Sequence, residues 1–156
     1  MVNDEQRADM ITLAIEGNPH FALSAVELER EGFTYTADTL TVLTEENTDT
    51  QYYFIVGADS LFMMQEWKNP QLIFEHCTVI AAGRDHVEQE SLQKQADFLK
   101  EQFHAEIRLI RMPTIQISSA DIRERLAQGK SVRYYLPEQV IDYMRQEHLY
   151  GITSIA

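Results

Sequence analysis

Two spacings of hydrophobic positions alternate along the chain. Ala8, Ile11 and Ile15, with Met10 and Ala14, recur every three to four residues. This stripe predicts an amphipathic helix over 5–16, capped by Asn3 or Asp4 and stopped by Gly17-Asn18-Pro19. Phe21-Ala22-Leu23-Ser24-Ala25-Val26 has a looser alternation that predicts a strand. After a charged connection over 27–33, helical spacing returns over Ala37–Leu43 with Thr36 as its expected N-cap, so the amides after Thr36 would point forward. A polar turn over 45–50 leads to Tyr52-Tyr53-Phe54-Ile55-Val56, five apolar residues ending at Gly57. A continuous run rich in aromatic and β-branched side chains predicts a strand buried on both faces of a parallel sheet.

The alternation continues. Asn69-Pro70 is a helix start for 71–76, Thr78–Ala82 a second buried strand, 87–103 a polar amphipathic helix and Ile107–Ile110 a further strand. Ser118 with Asp121 forms a capping pattern for a helix over 120–128 that Gly129 ends, and Pro137 opens a last helix to about Glu147. Met63-Met64 and Tyr134-Tyr135 are expected in the core or at its edge. Strands interleaved with helices predict an α/β fold, a parallel sheet with helices on both faces. No repeat or linker divides residues 1–156, so one domain is expected.

Composition changes the picture in two respects. A formal net charge of −12 argues against nucleic-acid binding, which needs a basic face. The only cysteine, Cys77, lies in an apolar run and reads as a buried structural thiol rather than a nucleophile. No apolar run approaches membrane-spanning length and the N-terminus is polar, so no membrane association and a cytoplasmic location are expected. The five histidines form no metal-binding spacing, so no protein-held metal is expected. Homo-oligomerisation stays open.

Candidate chemistry gathers in two stretches. Gly57 lets the backbone turn tightly and a ligand approach closely, and Asp59 follows at a strand's carboxyl end, where open α/β sheets bind ligands. Asp59 reads equally well as a cap for 60–64. Ser118-Ser119-Ala120-Asp121-Ile122-Arg123 opens a helix with two hydroxyls and carries an arginine one turn on, an arrangement suited to a polyphosphate or to an ordinary capped helix. Trp67 offers a face for stacking on a planar ring, or a core contact.

The ordered set is more specific than its parts. Gly32-Phe33-Thr34-Tyr35-Thr36 with Asp38-Thr39-Leu40, Phe54-Ile55-Val56-Gly57-Ala58-Asp59 with Trp67-Lys68, Arg84 after the next strand, Ile117-Ser118-Ser119-Ala120-Asp121-Ile122-Arg123 and the closing Tyr134-Tyr135-Leu136-Pro137 together resemble the bacterial nicotinate-nucleotide (nicotinate mononucleotide) adenylyltransferases. These are nucleotidyltransferases of Rossmann-like fold, and the resemblance covers essentially the whole chain. Ala120 stands where that family's ISSTxIR signature has Thr.

The resemblance implies adenylyl transfer from ATP to nicotinate mononucleotide, with release of pyrophosphate, in NAD biosynthesis. Gly57, Asp59, Ile117, Ser119 and Arg123 would then contact ATP, and Tyr35, Thr36, Trp67, Lys68 and Arg84 nicotinate mononucleotide, with Mg²⁺ accompanying ATP. The family's GGTFDPxHxGH segment is not in the sequence, so no catalytic histidine is assigned. An N-terminally truncated chain is expected, lacking its first βαβ element, exposing apolar surface and an unpaired strand edge, and having little transferase activity by itself. The alternative is a non-catalytic nucleotide-binding or interaction module.

Overall fold

The computed structural model describes residues 2–30, 32–83, 86–113 and 115–152. The chain divides into two compact units, one of residues 29–114 and the other of residues 1–28 with 115–156.

The larger unit is built on β1 (Tyr52–Gly57), β2 (Cys77–Gly83) and β3 (Ile107–Arg111), which pair in parallel in the order β1-β2-β3. Register joins Phe54 to Val79 and Val79 to Ile107, so Phe54, Val56, Val79, Ala81, Ile107 and Leu109 share one face. That face forms the core with α2 (Thr36–Glu46), α3 (Ala58–Met63), α4 (Pro70–His76) and α5 (His86–Phe103). Leu61, Met64, Ile73, Leu92 and Leu99 fill its centre and are almost fully buried. β2, with a neighbour on each side, is the most buried strand.

β1 departs from the expectation of burial on both faces. It has one neighbour, and alternate residues emerge, Ile55 being 67% exposed and Tyr53 half-exposed. A five-residue apolar run fixes that a strand forms, whereas burial of its second face depends on what lies against it.

The smaller unit packs α1 (Asp4–Ile15), α6 (Ser119–Ala127) and α7 (Glu138–Gln146) around Leu126, Val132, Val140, Ile141 and Met144. α1 starts with a reciprocal box between Asn3 and Gln6, and α6 with one between Ser118 and Asp121. Gly129 follows α6 at φ +67°, a left-handed position that glycine adopts without a Cβ penalty. The Tyr143 hydroxyl donates to Asp9 Oδ2 at 2.7 Å and ties α7 to α1.

Other expectations need correction. Residues 21–26 are not a strand: Phe21 is 62% exposed, and the segment turns through a bond from the Leu28 amide to the Ala25 carbonyl. Ala22, Ser24 and Ala25 have little strand preference, and no described residues offer a ladder partner. Tyr134 is not at the core but 91% exposed, in a left-handed conformation with the Arg133 guanidinium 5.7 Å from its ring centre, and Tyr135 is half-exposed. Met64 is buried, but Met63 is half-exposed.

Candidate functional site

α2 begins one residue earlier than its cap residue suggested. Tyr35 is the N-cap and Thr36 the first helical residue, so Thr36 does not cap. The first helical bond runs from the Thr39 amide to the Tyr35 carbonyl, and no side chain caps the amides before it. This start differs from those of α1 and α6, where Asn3 and Ser118 serve.

Two cations reach the same turn. The Lys68 ammonium lies 4.0 Å from the Tyr35 ring centre and 3.4 Å from Asp38 Oδ2. The Arg30 guanidinium donates to the Asp38 carbonyl at 3.0 Å and to the Thr39 hydroxyl at 3.4 Å. Positive side chains are unfavourable at the positive end of a helix, and Asp38 is the one carboxylate that the described contacts place on either of them. Lys68, Arg30 and the Asp38 carboxylate thus meet at the uncapped start of α2.

Trp67 precedes Lys68 and is half-buried. Its ring meets Phe54 of β1 edge to face, with centres 6.2 Å apart and planes at 68°. The ring is thus anchored to the core along one side, which favours the core reading for that part of it, while the remainder stays accessible. Tyr35, Thr36, Lys68 and Trp67 belong to one unit, and the Tyr35–Lys68 pair is in direct contact. Arg84, the fifth residue of this group, lies outside the described residues.

At the carboxyl end of β1, Gly57 is the N-cap of the six-residue α3. Its φ of −78° is open to any residue, so the expected need for a tight glycine turn is not met. A Cβ built there meets nothing within 4 Å. What the glycine leaves is open space in front of the strand end. Asp59, in the first turn of α3, is exposed, does not cap the helix and has no partner among the described residues.

In the smaller unit, Ser119 is the first residue of α6 and Arg123 lies one turn on. Both line a groove of about 320 Å³ whose other walls include Met10, Ile122, Leu126, Val140 and Met144. Arg123 is exposed and has no hydrogen-bond or ion-pair partner among the described residues. The amides at this helix start are not all free. The Asp121 amide donates to the Ser118 hydroxyl, and the Asp121 carboxylate accepts from the Ser118 amide and hydroxyl. Arg7 also lines the groove but is paired with Asp4, so Arg123 is the cation there without a partner among the described residues. Ile117 is half-exposed just before the helix.

Cys77 is buried as expected. Burial pushes its thiol up to about 11, against a smaller lowering by the Phe54 backbone, and its sulfur donates to the Ile73 carbonyl at 3.2 Å. Asp38 and Arg30 were assigned no role from sequence. Asp38 had a signal, as an acid in a helix's first turn within a quoted motif, whereas Arg30 sits in a charged connection without one.

Residues 1–125 match the cytidylyltransferase-like family model. A protein of Lachnoclostridium phytofermentans is 43% identical over 150 residues, covering 96% of this chain and 75% of that protein. One of Moorella thermoacetica is 38% identical over 147 residues, covering 94% and 68%. Both carry the name "Probable nicotinate-nucleotide adenylyltransferase". The solved structure of Plasmodium falciparum nicotinic acid mononucleotide adenylyltransferase complexed with APC superposes with a TM-score of 0.74 at 22% identity, covering 98% of this chain and 78% of that one. That likeness supports the Rossmann-like α/β fold. The extent and identity of the sequence matches show that this chain belongs to the nicotinate-nucleotide adenylyltransferases, within the cytidylyltransferase-like family.

Proposed function

We propose that this chain binds ATP and nicotinate mononucleotide for adenylyl transfer in NAD biosynthesis, with nicotinate adenine dinucleotide and pyrophosphate as products. A phosphate oxygen of the mononucleotide attacks the α-phosphorus of ATP, and the bond from that phosphorus to the bridging oxygen of pyrophosphate breaks. The observation that carries the reading is the convergence of Lys68 and Arg30 on the uncapped start of α2, where among the described contacts Asp38 is the carboxylate that meets them. A pyridine carboxylate suits that charge, and a carboxamide does not.

Each residue has a part in this reading. Thr36 presents its amide and hydroxyl to the nicotinate carboxylate, Lys68 and Tyr35 flank it, and Trp67 stacks on the pyridine ring. Arg84 contacts the mononucleotide. Gly57 leaves room for the adenosine, and Asp59 accepts from its ribose hydroxyls. Ile117 and Ser119 line ATP, and Arg123 holds its phosphates. Such transfer asks the protein for orientation and charge stabilisation more than for covalent chemistry. Among the described residues no three acidic, histidine or cysteine side chains gather into a metal-holding group. Mg²⁺ enters this reading as the ion that accompanies the triphosphate. Among the described residues no helix is long and apolar enough to cross a membrane, and the reading places the reaction in the cytoplasm.

Trp67 is the only tryptophan, so its fluorescence reports one place. Titration with nicotinate mononucleotide should give saturable quenching, and later addition of ATP with Mg²⁺ should give nicotinate adenine dinucleotide slowly, since the GGTFDPxHxGH segment is not in the sequence. Arg123→Ala should weaken ATP binding roughly tenfold or more and leave mononucleotide binding unchanged. Quenching and ATP binding without product would favour a binding module. A folded chain that responds to neither ligand would overturn the reading.

A further inference from the structure

We propose that Asp38 is a positioning residue, which holds the Lys68 ammonium at the start of α2 and thereby sets the preference for a pyridine carboxylate. The inference rests on the function proposed above. Lys68 is 30 residues from Asp38 in sequence, on a flexible four-carbon stem with an exposed end. Two contacts fix that end, Asp38 Oδ2 at 3.4 Å and the Tyr35 ring face at 4.0 Å from its centre. Both come from the first turn of α2, Tyr35 as N-cap and Asp38 three residues on.

An ammonium has three donors. The carboxylate engages one, the ring face takes up part of the charge, and donor capacity remains for a ligand beside the free amides of the helix. A carboxylate close to an anion site lowers the local potential. Asp38 offsets that cost only by keeping a cation where the ligand needs it. An exposed ion pair of this kind contributes little to stability. Its effect is therefore expected in binding rather than in folding.

The experiment is a double-mutant cycle on the full 156-residue chain, with Kd for nicotinate mononucleotide, nicotinamide mononucleotide and Mg²⁺-ATP measured by calorimetry. Asp38→Ala should raise the Kd for nicotinate mononucleotide roughly three- to tenfold and leave that for ATP unchanged. The ratio of affinities for the acid and the amide should fall with it. In Asp38→Ala/Lys68→Ala binding should be no weaker than in Lys68→Ala alone, because Asp38 acts through Lys68. Asp38→Asn, which keeps the shape and removes the charge, should fall between wild type and Asp38→Ala, and it guards against an alanine variant that folds poorly.

Additive losses in the double variant would assign Asp38 a separate structural role and overturn the inference, as would an unchanged or tighter Kd in both single Asp38 variants. Failure of the wild type to bind nicotinate mononucleotide overturns the proposed function itself, and this inference with it. Wild-type binding with an indifferent Asp38 overturns this inference alone.

Discussion

The Cys77 thiol and the Asp59 carboxylate occupy opposite kinds of place. Cys77 is enclosed by the core, so its thiolate is disfavoured and its thiol is pushed up to about 11. Asp59 stands in solvent with no described partner, free to accept hydrogen bonds from a ligand. The chemistry of the thiol is thereby suppressed. Iodoacetamide at about pH 8 should leave the folded chain unlabelled, and full labelling should require denaturing urea, as followed by mass spectrometry. Labelling of native protein at the denatured rate would contradict the burial.

Between elements, the hydrogen bond from Tyr143 to Asp9 ties α7 to α1. The hydrogen bond to Asp9, followed by burial and the nearby charges of Asp9, Glu147 and Glu5, pushes the phenol up to about 12. The protonated phenol is the form that the fold favours. Its contribution is complete below the ordinary value of 10.0 and is lost as pH rises towards 12. Tyr143→Phe should lower the urea midpoint at about pH 8 and should lose less than wild type on going to about pH 11. Equal further losses would separate the phenol from the alkaline transition.

Elements were legible where the determinants are local. The apolar runs behind β1, β2 and β3, the Ser118–Asp121 box and the left-handed Gly129 all act within a few residues, and each appears where its pattern indicates. Residues 21–26 misled because a strand needs a partner, which alternation alone does not supply. Tyr134 misled because an aromatic side chain reads as core until the backbone turns it outward. In the candidate site, the family resemblance grouped Tyr35 with Lys68, and the structure brings those two into contact. The contact between Lys68 and Asp38 was not legible, since nothing in either segment encodes its approach to the other.

At the scale of the whole molecule, each compact unit has its own apolar cluster, and the sheet unit leaves part of its surface without cover. Ile55 on edge strand β1, with Tyr53 and Ile110 on the same face, presents apolar area beside strand groups that have no ladder partner among the described residues, and the Arg108 guanidinium, 5.4 Å from the Tyr53 ring centre, leaves Ile55 itself without a charge over it. Such edges template association between chains unless a charge interrupts them. Ile55→Lys should leave stability within about 0.5 kcal/mol of wild type and reduce concentration-dependent light scattering. A large loss of stability would mean that this position packs against something after all.

The empty space at Gly57 bears on how variants of this chain would be sorted. Its backbone dihedral suits any residue and nothing crowds the missing methyl, so alanine there shortens the list of unfolded conformations without disturbing the folded one. A laboratory selection that rewards heat resistance would weigh that gain against the poorer N-cap that alanine gives α3. Under the proposed function, a selection that rewards growth on the product would discard the variant, because the methyl takes volume that this reading gives to the guest and not to the host.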